Sequence, residues 1–295
     1  MSANIAMEWD KTGEHFYETG VDRGVLYPMD NSGNYEAGEA WNGLTSTDES
    51  PSGADSEKIY ADNGVYLNLQ SAEEFGGTIG AYTYPDGFRA CNGEASMLPG
   101  VAVGQQSRKS FGYSYRTKKG NEANPDLGYL IHLWYGCKAS PSEKSYSTVN
   151  DSPEAIEFSW EVSTTPMSFN DIKDATDPTK ILVKGGKTSQ VTIDTVELLS
   201  AARKAGTEST VQGYLDTLEE ILYGKADNYV EADVSEGWAA GTTYYTKSGD
   251  VYTKVNTTTT PTPEQGVTYY ILSPTPGRLP DPEEVYKILT GQLDA

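Results

Sequence analysis

The sequence predicts a mainly β protein (α+β): an antiparallel β-sandwich or barrel, one or two short helices near the C-terminus, and a small β insertion. Three observations predict it. Several segments alternate apolar and polar residues with period two, the signature of strands with one face in a core. Residues that favour strands and turns are dense: the 295 residues include 21 Tyr, 30 Gly and 15 Pro. Helical periodicity is confined to the last third. The length exceeds one typical domain and fits one large domain plus an addition, or two domains.

From Gly38 to Asn63, GEAWNGLTSTDESPSGADSEKIYADN, an aromatic segment gives way to small polar and acidic residues and resumes at Ile59 and Tyr60. Trp41–Leu44 and the chain from Tyr60 onward read as strand flanks, and Thr45–Glu57 between them as a long acidic loop. GTIGAYTYP (Gly77–Pro85) reads as a strand. In KSFGYSYR (Lys109–Arg116), Phe111, Tyr113 and Tyr115 share a face opposite Ser110, Gly112, Ser114 and Arg116. GYLIHLWYG (Gly128–Gly136) is apolar on both faces, so it belongs near the centre of a sheet. In AIEFSWEV (Ala155–Val162), Ile156, Phe158, Trp160 and Val162 form one face and Glu157, Ser159 and Glu161 a wet, acidic one. Breaks fall at Asp86-Gly87, Asn92-Gly93, Pro99-Gly100 and along the polar run Lys118–Asp126.

Two helices follow. Around VQGYLDTLEEILYG, Val211, Leu215, Leu218 and Leu222 share a face, and Gly224 is placed to end the helix. In DPEEVYKILTG, Asp281 is a good N-cap, Pro282 suits the first helical position, Val285, Ile288 and Leu289 make the buried stripe, and Gly291 stops it. Between the helices, GTTYY (Gly241–Tyr245) and GVTYY (Gly266–Tyr270) repeat. Ser248-Gly249-Asp250 sits at a hairpin turn, and Asn256–Pro263 is a Thr/Pro loop. Residues 228–275 therefore read as an insertion of two or three strands.

The net charge is −21, and the first hundred residues hold 17 acids against 4 bases. No basic patch is visible, which argues against a protein that grips phosphates. Cys91 and Cys137 lie at no motif spacing and fit either one disulfide or two buried reduced thiols. The N-terminus MSANIAMEWD lacks a basic, apolar signal, and no run approaches the roughly 18 apolar residues of a membrane span. The expectation is assembly in a cytoplasm, with no membrane.

Catalytic, cofactor and metal chemistry find no footing, so the expectation is a protein that is not an enzyme, with no cofactor. His132 alternates with Leu130 and Trp134 inside a strand and reads as structural; His15 is the other histidine. No G-x-S-x-G elbow or zinc spacing occurs. GGKTS (Gly185–Ser189) lacks the first glycine of a phosphate loop and precedes a strand. DNSGN (Asp30–Asn34) reads as a turn because the later bidentate Glu of a calcium loop is missing. Asn256 opens a glycosylation sequon in a chain without a visible secretion signal. Paired acids such as Asp48/Glu49 and Glu73/Glu74 leave a glycosidase as a distant third reading.

The segments DRGVLYP (Asp22–Pro28), AWNGLTS (Ala40–Ser46), SPSGA (Ser50–Ala54), KIYADN (Lys58–Asn63), SAEEFGGTIGAYTYPDGF (Ser71–Phe88), PGVAVGQQSRKSFGYSYRT (Pro99–Thr117) and Gly128–Pro166 carry a resemblance, as do LEEILYG and LPDPEEV near the end. Together they resemble the major tail proteins, or tail tube proteins, of long-tailed, non-contractile bacteriophages of Gram-positive hosts. The resemblance covers about residues 5–226 and 276–295.

It implies a virion structural protein. Hexameric rings of small β-sandwiches stack into a hollow tube around a tape-measure protein, between a tail terminator and distal tail proteins, and DNA passes through the lumen without specific binding. An acidic lumen suits that passage, because like charge lets DNA slide. The implied organisation is a tube domain over 1–227, an insertion over 228–275 projecting from the tube exterior, and a C-terminal helix over 276–295 returning to the tube domain. Thr45, Asp48, Glu49, Ser50, Pro51, Asp55 and Glu57 are then candidates for an inter-subunit or inter-ring loop. Trp238, Tyr244, Tyr245, Tyr252, Tyr269 and Tyr270 are candidates for an exterior contact. The competing reading is a phage-borne carbohydrate-binding β-sandwich using Trp41, Trp134, Trp160 or Trp238 as a sugar platform.

Overall fold

The computed structural model describes residue 9 and residues 11–146, 148, 155–235, 237–239, 242–249, 251–256 and 262–292. Along the chain, β1 (Tyr17–Pro28), β2 (Glu39–Trp41) and β3 (Leu44–Glu49) precede a two-stranded arm, β4 (Ser56–Ala61) and β5 (Gly64–Gln70). There follow β6 (Gly76–Ala81), the one-turn α1 (Phe88–Cys91), β7 (Phe111–Gly120), β8 (Gly128–Ala139), β9 (Phe158–Thr164) and β10 (Gln190–Asp194). Next come α2 (Thr195–Ala205) and α3 (Glu208–Tyr223), then β11 (Tyr229–Glu231), β12 (Tyr244–Ser248), β13 (Val251–Lys254) and β14 (Tyr269–Leu272), and finally α4 (Pro282–Leu289).

The main sheet is antiparallel, in the order β2-β1-β7-β8-β9-β6-β3, with β10 added to β8. Its ends curl toward each other. Leu26, Trp41, Ile79, Phe111, Tyr113, Trp134 and Trp160 come from six of its strands and share one core. That is the packing of a sandwich, in which alternate residues of each strand point inward. The aromatic rings meet mostly edge-on: Trp41 and Tyr113 are 5.7 Å apart at 72°, and Phe88 and Trp160 are 4.9 Å apart at 73°. Each such pair adds ~0.5–1.5 kcal/mol to the burial itself.

The opposite face of β1 and β8 carries a second core. Tyr27, Ile131, Leu133 and Tyr135 pack there against Leu215, Leu218 and Leu222 of α3 and Val285 and Ile288 of α4. The central strand β8 is thus apolar on both faces, as expected, because it lies between two cores. Two phenols in the helix layer cap backbone carbonyls: Tyr27 donates to Leu222 at 2.9 Å and Tyr135 donates to Pro280 at 2.9 Å.

Gly136 divides β8. Residues Leu130–Trp134 pair with β10, and Cys137–Ala139 pair with β9. Gly136 has φ +59, and a Cβ there would lie 2.2 Å from the Thr165 carbonyl oxygen. The register shift beside it reverses the alternation, so Cys137 and Ala139 join Trp134 in the first core. Cys91 and Cys137 are free, buried thiols of that core.

Several expectations are corrected. Thr45–Glu49 is strand, paired to β6, and the chain from Ser56 to Gln70 is a hairpin, so Thr45–Glu57 is not one long loop. Threonines and acids on both sides of an edge strand hide its period. Lys118–Gly120 continues β7 instead of breaking it. The strand expected at Ala155 begins at Phe158. A further helix, α2, was missed; the Asp194 side chain accepts from the amides of Val196 and Glu197, and Gly206 ends it at φ +74. Asp30 closes the expected turn by accepting from the amides of Ser32 and Asn34. Among its described residues the insertion has four sheet strands, in the order β11-β14-β12-β13. Gly241, Asp250 and the centre of the Thr/Pro tract lie outside the described residues.

Candidate assembly interface

The arm begins at a fixed root. Glu49 ends β3, and its Oε1 accepts from the Tyr115 hydroxyl at 2.8 Å and the Trp134 indole N–H at 3.4 Å. Its Oε2 accepts from Gln190 Nε2 at 3.0 Å. His132 stacks on Tyr115, with ring centroids 4.5 Å apart, and places Nδ1 3.6 Å from Glu49 Oε1. The other ring nitrogen of His132 is 3.0 Å from the Thr117 hydroxyl. The neighbouring His132, with the Tyr115 and Trp134 donors, holds the Glu49 carboxyl down to about 2 despite partial burial. Burial and the facing carboxylate push the Tyr115 phenol up. His132 is buried within its strand, as expected, and it neighbours a carboxylate that the sequence placed in a loop.

Beyond the root the chain leaves the body. Ser50 donates its amide to Gly76 at 2.8 Å, and Asp55 and Ser71 close the base of the arm through Asp55 N to Ser71 Oγ at 3.0 Å and Ser71 N to Asp55 O at 3.0 Å. The tip turns at Asp62 and Asn63, both with positive φ of 49° and 62°, flanked by the Ala61/Gly64 pair. Two successive left-handed residues give the turn whose twist matches a hairpin.

Register sorts the arm into two faces. Ser56/Gln70 and Lys58/Asn68 lie on one side, Glu57/Leu69 and Ile59/Leu67 on the other. Ile59, Leu67 and Leu69 are 41%, 46% and 51% exposed, and Tyr60, Val65 and Tyr66 are more so. An apolar stripe on a bare two-stranded hairpin is not a fold of its own. Exposed apolar stripes of this kind are uncommon on surfaces that meet only water. Of the seven candidate residues, Thr45, Asp48 and Glu49 are strand, Ser50, Pro51 and Asp55 are connections, and Glu57 is in β4. Glu57 shares the face of the apolar stripe, opposite Leu69, and the other six lie outside the hairpin. The sequence carried the signal for it in Ala61-Asp62-Asn63-Gly64, a hairpin turn flanked by Ile59 and Leu67.

The insertion stands on a two-strand neck, Gly224–Lys225 against Thr275–Pro276. Tyr244 and Tyr269 are buried against Trp238, with ring centroids 4.7 and 4.9 Å away. Their hydroxyls accept from the amides of Ala239 and Glu264 at 3.0 Å each, which pins the loops. These two candidate contact residues are therefore the insertion's core. On its other face Tyr252 stacks on Tyr229 at 3.9 Å, and Tyr245 and Tyr270 meet that stack edge-on. Tyr229 escaped the sequence reading because it precedes the repeated pentads.

Trp41, Trp134 and Trp160 are buried in the first core and offer no sugar platform. Among the described residues, no cluster of His, Cys, Asp and Glu could hold a metal ion, and no helix is long and apolar enough to cross a membrane. No protein-family model matches the chain, and no curated protein matches it.

Proposed function

We propose that this chain is the structural subunit of a phage tail tube: a self-assembling protein of hexameric rings stacked around a tape-measure protein, with DNA passing through an acidic lumen. The observation that carries the reading is the β4–β5 arm, which exposes Ile59, Leu67 and Leu69 on one face with no described segment of its own chain over them. A surface of that kind is suited to a partner, and a second copy supplies one for every arm. Edge strands β2 and β3, each paired on one side only among the described strands, suit the joining of sheets between neighbours. The net charge of −21, multiplied six-fold in a ring, suits a conduit that DNA does not stick to. The sequence resemblance names the tube; the arm, edges and charge support assembly in general.

The test is negative-stain electron microscopy of purified protein across a concentration series, at low and high salt. Rings or tubes are expected, and salt should favour them by screening the repulsion between acidic copies. A protein that remains monomeric at every concentration and salt level would overturn the reading.

A further inference from the structure

A trough of about 650 Å³ runs along β10. All five consecutive residues of the strand, Gln190 to Asp194, line it. Successive strand residues point to opposite faces, so a groove bordered by every one of them follows the strand's edge. That edge is open: β10 pairs with β8 on one side and with no described strand on the other. The wall on the helix side is apolar, built from Leu198 and Ala201 of α2 and Val285 and Leu289 of α4, and Phe169, Ile172 and Val183 of the same chain border the trough as well. An open strand edge beside an apolar wall has the form of a strand-addition site. Backbone hydrogen bonds would supply affinity, and alternate side chains would enter the wall.

We propose that the trough receives β5 of a second copy of this chain; the proposal rests on the self-assembly reading above. β5, Gly64–Gln70, is seven residues long, and β10 is five. Leu67 and Leu69 project from one face of β5, so both enter the wall when the strand lies along the edge. The outer edge of β5 is unpaired among the described strands. Charge also selects it. GVYLNLQ itself contains no acid or base in a chain of net charge −21, and Lys119 pairs with the rim carboxylate Asp194, so the strand meets the rim with little like-charge repulsion; Glu57, opposite Leu69, stays one strand further out on β4. A single strand of this length buries roughly half of the ~800 Å² per partner that an independent interface needs. The contact therefore acts through repetition around a ring, not as a free dimer.

The test uses the full chain with Leu67→Lys, Ala201→Glu and the two combined, scored by the concentration at which tubes appear. Both positions are exposed, so thermal melts should match the unaltered protein. Each single change should raise the threshold at least tenfold, and the pair, which sets Lys against Glu, should bring it back to within about threefold. As a second readout, Leu67→Cys copies mixed with Ala201→Cys copies should cross-link between chains on oxidation; the native thiols are buried. Tubes that form with unchanged thresholds, singles that weaken assembly without rescue, or tubes without the cross-link would each overturn the trough assignment and leave self-assembly standing. Failure of the unaltered protein to assemble would overturn both.

Discussion

The hydroxyl of Tyr115 donates to Glu49 at 2.8 Å, tying the end of edge strand β3 to the middle of the sandwich. The carboxylate also takes Trp134 and Gln190 and lies beside His132, so four strands meet at one acid. The strand that leads into the arm is thereby fixed to the body at its last residue.

The first prediction concerns that acid. Glu49 has a folded value of about 2, below the ordinary 4.5. Its contribution to stability is thus full above the unfolded value and is lost as pH falls from about 4.5 toward 2. Glu49→Gln should destabilise by roughly 1–2 kcal/mol at pH 7, discounted for partial exposure. It should also flatten the stability profile in that acid window. Urea melts at a series of pH values measure both.

Excising the arm should separate folding from assembly. Asp55 and Ser71 already hydrogen-bond to each other, so joining them with 56–70 removed closes a short turn. The expected product has an unchanged melting transition, no rings or tubes by electron microscopy, and a monomer's sedimentation. Loss of the fold would show that the arm stabilises the body, contrary to its exposure. Removing Asp48–Glu57 instead should destabilise the protein, because that span includes Glu49.

Gly136→Ala should be severe. The new Cβ would approach the Thr165 carbonyl oxygen at 2.2 Å, in backbone at φ +59. Relief requires moving the point where β8 changes partners, at about 2–4 kcal/mol. Denaturant midpoints should shift accordingly, whereas Gly213→Ala, in open space on α3, should stabilise slightly.

The insertion should unfold alone. Tyr244→Ala removes a buried ring and the acceptor for the Ala239 amide, worth about 3–5 kcal/mol to a small sheet. Limited proteolysis should then cut between 228 and 275 while the body stays intact, because Gly224–Lys225 and Thr275–Pro276 close the neck independently. Cleavage spreading into α3 or α4 would show that insertion and body fold as one unit.

The sequence by itself determined the mainly β class, the central position of Gly128–Gly136, the α3 and α4 stripes and the hairpin at Gly249. Each of these is written in local periodicity or turn chemistry, which survives without tertiary context. It did not determine β3, whose threonines and acids show no one-sided pattern. The sheet makes a strand of it by pairing with β6 and by the bond from Thr47 to the Tyr113 hydroxyl at 3.1 Å. Nor could it place Glu49 against His132 and Tyr115, residues far away along the chain. It also could not show that Tyr244 and Tyr269 turn inward while Ile59, Leu67 and Leu69 stay bare. Those outcomes depend on which faces find a second layer. That is decided only when the sheet curls, the helices cover one side of it, and the arm is left over with no described segment of its own chain to bury its stripe.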